Sequence, residues 1–495
     1  MNKVKKLAGQ TVLYGLGSII PKLLNFAILT PFYTRIFAPG VYGTVTELYA
    51  YVVILMVGIT FGMETGFFRF GQNKHQLKAV FTSSFVFVGL LAAMFLILVQ
   101  LTIGPLSNLI QYDDNPEYIK WFSYIIALDA LAAIPFAKLR QQEKAMKFAI
   151  LKMANVVVNI ALVIFFFVIW PKLWSTNPDG GINRFYDPMM GVGYVFIANL
   201  LTSAVVFLLI STELKDLRGP LQANILRDLL KYSTPIVIIG IAGSINEVAD
   251  KIMLKFWLPD SVVAMDIVGI YGASYKIAVL MTLFIQMFRY AFEPFLFAQS
   301  KDKDAKQLYA QILEIFFSLG LVIFLGVLLY MDFVKYYIDP KFWDGLVIVP
   351  IILLANLFLG VFYNLSVWYK INDLTRYGAW LAVGGAIITL VLNALLIPVI
   401  GYIGSAWATL ACYTLMMVGS FFWGRKIYPI PYRADRLLIN LAIALFLFGI
   451  SIFLKPESFI LRIGMNTILL ILFLLWIERQ QHLLRIFIPM SGRNK

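Results

Sequence analysis

Fourteen apolar runs, separated by short polar breaks, divide the chain at about residues 8–37, 42–68, 79–103, 118–137, 149–170, 190–211, 232–257, 268–297, 307–331, 343–369, 377–397, 401–423, 437–454 and 459–477. Crossing the hydrocarbon of a bilayer takes roughly 20 apolar residues in a helix, and these runs are of that length. The pattern predicts an all-α polytopic membrane protein with about 14 transmembrane helices. Composition closes off the soluble alternative, with 60% hydrophobic residues, only 14% charged and a mean hydropathy of +0.82.

The net charge of +14 changes the picture only once its distribution is read. Lys3, Lys5 and Lys6 precede the first run, and Lys138, Arg140, Lys144 and Lys147 follow the fourth; alternate breaks continue this bias, giving 28 Lys and Arg on one side against six on the other. Basic residues collect on the cytoplasmic side, so both termini are expected in the cytoplasm of a cell whose inner membrane holds the protein. Anionic lipid headgroups are then the expected partners of the basic loops, and nucleic acid is not. The first run continues to Phe37 without a small-residue cleavage pattern, so it is expected to stay as a helix. The longest outer break, residues 170–189, and the acidic one around Asp113 and Asp114 are too short for a folded catalytic domain.

Charges inside the runs are the candidate chemistry, because each costs on the order of 2.5–3.5 kcal/mol near the bilayer centre on insertion scales. The seventh run carries Glu247, Asp250, Lys251 and Lys255 on one broad arc. Glu247 and Lys251 are i,i+4 neighbours able to pair, so this helix has one wet face that either binds something or packs against another helix. Lys22 lies fourteen residues into the first run, about 21 Å along a helix, beside Pro21. With Lys251, Lys276 and Arg289 it forms the candidate set for an anionic group. Asp129, alone at mid-depth in the fourth run, is the candidate for proton exchange. Glu247, Asp250, Glu64 and Glu293 are candidates for coupling or gating contacts. Glu47, Arg35 and Lys255 are expected near the outer boundary, and Trp368, Tyr369 and Trp407 as faces for sugars.

An internal repeat orders the chain further. An offset of 229 places Tyr42-Gly43 on Tyr271-Gly272 and Glu64 on Glu293, and a weaker match pairs Asn159 with Asn393. Both halves would begin on the same side, so the repeat is parallel, about an axis along the membrane normal. The expected organisation is an N-lobe of six helices at 1–212, a cytoplasmic linker at 213–231, a C-lobe at 232–427, two further helices at 428–478 and a basic cytoplasmic tail at 479–495.

Tyr14-Gly15 through Asn25, then Thr30-Pro31-Phe32-Tyr33-Thr34-Arg35 and Val41-Tyr42-Gly43, resemble the opening of one transporter family. That family is the polysaccharide transporter branch, the Wzx-like oligosaccharide and lipopolysaccharide flippases, of the multidrug/oligosaccharidyl-lipid/polysaccharide (MOP) exporter superfamily. Val367-Trp368-Tyr369-Lys370, Thr375-Arg376-Tyr377-Gly378, Asn393, Pro398 and Gly401 through Thr409 are similar to its C-terminal signature, and the details look most like Bacteroidetes-type proteins. The resemblance implies two six-helix lobes, alternating access by rocking, and sideways entry of substrate from lipid. Its implied substrate is a polyprenyl-diphosphate-linked oligosaccharide, coupled to protons or Na+, with other glycan biosynthesis proteins as possible membrane partners. In MurJ relatives a groove near the last two helices receives the lipid tail.

No GxxxxGK[ST] motif is present, and one cysteine, Cys412, with two histidines, His75 and His482, offers no metal set, so no cofactor is expected. Two other functions compete with the flippase. A drug or cation antiporter of the same superfamily would favour an acidic cavity, whereas Lys22, Lys251, Lys276 and Arg289 are basic. A membrane glycan polymerase or glycosyltransferase would need acids or arginines on a sizeable outer loop. The orientation is directly testable: a reporter fused at Pro220 should read cytoplasmic, and a periplasmic signal there would contradict the 14-span topology.

Overall fold

The computed structural model describes residues 2–73, 75–217, 219–299 and 302–481, and within these the side chains of residues 2–16 and 18 and of a few others, Glu293 among them, lie outside the described set. The described chain is helical throughout. The long helices are α1 (Asn2–Ile36), α2 (Pro39–Thr60), α3 (Leu77–Leu101), α4 (Pro116–Gln141), α5 (Ala145–Ile164), α6 (Gly193–Ile210), α7 (Ala223–Trp257), α8 (Ser261–Ile277), α9 (Val279–Gln299), α10 (Ala305–Leu329), α11 (Val349–Leu365), α12 (Thr375–Ile427), α13 (Ala434–Leu454) and α14 (Phe459–Gln481).

Ten described helices are long and apolar enough to cross a membrane, and α8 with α9, bent by 46°, form an eleventh span. Helix α12 has 53 residues, about 80 Å at 1.5 Å per residue, far more than one crossing of roughly 30 Å. It contains two spans, because the backbone breaks at Ile400 and Gly401, where Gly401 takes φ +60°. Only glycine enters that region without a steric penalty. Helices α1 and α7, 35 residues each, complete fourteen.

Packing divides the chain into two compact units, residues 1–269 and 270–495, so α7 packs with the first unit. There it runs along α2 and the short helix Met63–Phe70. Pro39 and Pro116 begin α2 and α4 at positions where a missing N–H costs nothing. The unit's core joins Ile59, Met63, Phe67, Val88, Ala130 and Leu229 from α2, the Met63–Phe70 helix, α3, α4 and α7. Gly17 lets α1 approach α5, since a Cβ there would lie 2.8 Å from that of Ala149.

The second unit has a core on α11 and α12, with Ala355, Phe362, Leu381, Cys412, Tyr413 and Met416 packed together. Its two α12 spans are tied across the break by Asn393. That side chain donates to the Thr389 carbonyl at 2.8 Å and accepts from the Ser405 hydroxyl, all fully buried or nearly so. In the first unit Asn159 meets Asn199 at 3.1 Å, joining α5 to α6. The two asparagines matched by the repeat therefore each bond polar groups inside their own unit.

Candidate functional site

In the first unit a string of charged side chains from α1, α4, α5, α7 and the Met63–Phe70 helix occupies one electrostatic neighbourhood. Lys22 and Glu247, on α1 and α7, are both exposed and interact with each other. Inside a membrane-crossing segment a charge facing hydrocarbon would cost several kcal/mol, so such residues call for water or a partner. Lys152 follows on α5, half-buried, and interacts with Glu64, Asp129, Arg140 and Lys22. Its ammonium also sits 4.1 Å from the Phe136 ring centroid. Asp129 on α4 is hydrogen-bonded to Ser203 of α6 as well as facing Lys152.

Several expected contacts take a different form. Lys251 bonds the Asp250 carboxylate and the Glu247 backbone carbonyl, each at 3.0 Å. Lys251 is thus joined to the carboxylate beside it in sequence. Glu64 pairs with Arg140 at 2.6 Å, and the Arg69 guanidinium stacks over Tyr232 at 4.4 Å. Glu64 thereby ties the Met63–Phe70 helix to the end of α4.

Glu47 and Lys255, expected near the outer boundary, are a buried pair at 3.1 Å, with side-chain exposures of 0% and 4%. Tyr112 donates to the same carboxylate at 2.6 Å and Tyr51 to its other oxygen at 3.2 Å. Lys255 also bonds the Ile110 carbonyl at 2.6 Å and lies over the Tyr112 ring. Desolvation is tolerated here because nearly every lone pair and proton of the pair finds a partner. Trp368 and Tyr369 are corrected too: both are buried core rings. Trp368 donates to the Ser420 hydroxyl at 3.2 Å and packs edge-on against Tyr377, so neither ring offers a face to a sugar. Trp407 is half-exposed.

Lys152 and Glu213 escaped sequence reasoning because both sat in segments read as basic loops. Glu213 draws in Lys138 at 3.3 Å, Lys144 at 3.7 Å and Lys147. These lysines therefore fasten α4 and α5 to the end of α6. The available signal for Lys152 was its place on the helix joined to that of Asp129 by a tight turn.

In the second unit Lys276 lies exposed in the last turn of α8. Arg289 of α9 stacks on Tyr363 of α11 at 4.2 Å and lines a small cleft with Phe292, Asn364, Ser366 and Lys370. The Glu293 side chain lies outside the described residues.

The sequence profile described as "Polysaccharide biosynthesis protein" matches residues 7–300. No curated protein matches the chain. Among solved structures the chain is similar to the lipid II flippase MurJ in an inward closed conformation, with a TM-score of 0.73 and 15% identity over 95% of this chain and 99% of that one. It is also similar to a multidrug resistance MATE family transporter of the MOP superfamily. The inward-facing form gives a TM-score of 0.65 at 14% identity over 84% of this chain and 97% of that one. The outward-facing form gives 0.61 at 16% over 85% and 95%. At these identities the likeness is one of fold.

The Glu47–Lys255 pair makes a prediction that separates mutual satisfaction from simple burial. Glu47→Gln leaves the Lys255 ammonium without its counter-charge and should lower stability by about 3–5 kcal/mol, read as a lower thermal midpoint in detergent. Glu47→Leu combined with Lys255→Met removes both charges and should recover most of that loss. A double variant less stable than the single one would contradict the assignment.

Proposed function

From the premise that the chain belongs to the polysaccharide biosynthesis protein family, we propose that it is a flippase. It moves a polyprenyl-diphosphate-linked oligosaccharide, the repeat unit of an O-antigen, capsule or exopolysaccharide, across the bacterial inner membrane, with both termini in the cytoplasm. It works by alternating access, as a transporter and not an enzyme. The observation that supports the reading is that Lys22 of α1 and Glu247 of α7 are both exposed and lie within electrostatic range of each other, where a charge inside a membrane-crossing segment calls for water or a partner. An anionic diphosphate cannot cross hydrocarbon unaided, and a cation at mid-depth supplies the charge-assisted hydrogen bonds that replace its hydration.

In this reading Lys22 and Lys251 hold the diphosphate, and Lys276 and Arg289 supply further cations along its route. Glu247 and Asp250 keep those ammonium groups oriented while the site is empty, and an arriving diphosphate competes with them for the lysines. Asp129, held by Ser203 and facing Lys152, is the group that exchanges a proton during the cycle and couples it to the ion gradient. Glu64, bound to Arg140, and Glu293, its repeat partner, serve as gate contacts that break and reform. The two six-helix lobes at 1–212 and 232–427 are the moving parts, with 428–478 as two added helices. The basic loops bind anionic lipid, and glycosyltransferases and polymerases of the same route are the expected neighbours in the membrane.

The similarity to MATE transporters supports the antiporter reading only at the level of fold, and charge distinguishes the two. Lys22→Arg keeps the cation and should retain appreciable surface glycan. Lys22→Gln keeps a hydrogen bond but loses the charge, and should reduce export roughly ten- to a hundredfold, the effect of one lost charge-assisted hydrogen bond. Full complementation by Lys22→Gln at equal expression would remove the physical support for an anionic substrate.

A further inference from the structure

The segment between α5 and α6 has its polarity turned inside out. Beyond a π-helical stretch at Phe165–Ile169 and a short helix Trp170–Thr176, the chain forms a 3₁₀ turn at Gly181–Phe185 and another at Pro188–Met190. In the first turn the polar Asn183 is only 9% exposed, while the apolar Ile182 and Phe185 are 53% and 74% exposed, and Met189 in the second is 90% exposed. A 3₁₀ helix repeats every three residues, so Ile182 and Phe185 share the outward side.

This inversion is held by specific bonds. Asn183 donates inward to the carbonyls of Leu173 at 3.1 Å and Asn177 at 2.8 Å. The Asp187 N–H donates to the Tyr194 hydroxyl at 2.8 Å, and the Asp187 carboxylate accepts from the Met189 N–H at 2.8 Å. Tyr186 stacks on Tyr194 with centroids 5.5 Å apart and planes 3° from parallel, and Trp170 and Trp174 flank it at 5.4 and 5.7 Å. The apolar side chains are thus presented outward by an ordered frame.

We infer that this segment lies flat on the bilayer, with Ile182, Phe185 and Met189 inserted among the lipids of the leaflet opposite the Lys138–Lys147 cluster. Three features on the segment select lipid as the occupant. It joins two membrane-crossing helices, so it begins and ends at the bilayer surface. Just before it, Ile169 at the end of the π-helical stretch and Leu173 of the short helix are 44% and 46% exposed, at i,i+4 spacing. Its Trp and Tyr residues form the aromatic layer that settles at headgroup level, with Lys172 and Arg184 balanced by Asp179 and Asp187. An apolar face of this kind left in water would be a liability.

The test uses the full chain with Cys412→Ala, in nanodiscs of phosphatidylethanolamine and phosphatidylglycerol. Phe185→Cys, Met189→Cys and Asp179→Cys each carry an environment-sensitive fluorophore. Probes at 185 and 189 should emit to the blue of the probe at 179, lose intensity when nitroxide-labelled lipid is included, and resist iodide, while the probe at 179 shows the reverse. Two labelled sites keep the test open if one variant fails to fold. Iodide quenching at 185 and 189 equal to that at 179 would overturn the inference. Blue emission without quenching by nitroxide lipid would overturn it as well, since it would place the face against protein.

Discussion

Every charge that this chain places between its ends must be neutralised, hydrogen-bonded or opened onto water, and this one constraint accounts for the arrangement of its polar side chains. Glu47 and Lys255 meet it by mutual burial, with Tyr51, Tyr112 and the Ile110 carbonyl completing the set. Lys138, Lys144 and Lys147 meet it by sharing Glu213. Lys22 and Glu247 meet it differently, by being exposed beside each other. The first two solutions hold helices together.

The same constraint explains why α7 is long and weakly amphipathic by sequence yet central to the first unit. Its apolar positions pack along α2, with Val57 set against Gly240 and Ile236 against Gly62. The four charges of its second half are distributed among three separate tasks. Lys255 is consumed in a buried pair, Asp250 and Lys251 satisfy each other, and Glu247 acts electrostatically on Lys22. A helix that met only one of these demands would be either a plain span or a plain surface element.

Much of the architecture was legible in the sequence, because hydropathy alone marks where a bilayer is crossed. The fourteen runs correspond to the helices, including the break at Ile400 and Gly401 that separates two spans inside one 53-residue helix. Individual partners were not legible. Glu47 and Lys255 are 208 residues apart, and periodicity reports only neighbours at three or four positions. Lys152 was hidden by its basic surroundings, and Trp368 and Tyr369 looked like ligand faces because aromatic residues carry no sign of which side is buried. The inward Asn183 was invisible as well, since a 3₁₀ turn of five residues leaves too short a pattern to read.

The central claim is that a wet, cationic surface at mid-depth carries a lipid-linked anionic saccharide through the membrane. Its most direct measurement is translocation by the purified chain in liposomes loaded with polyprenyl-diphosphate-linked oligosaccharide on one leaflet, with sugar reaching the other leaflet scored by lectin binding. The account predicts protein-dependent appearance of sugar on the far side, faster than in protein-free liposomes and faster than for a lipid-linked sugar without the diphosphate. Expulsion of a cationic dye by the same liposomes, with no movement of the lipid-linked sugar, would contradict it.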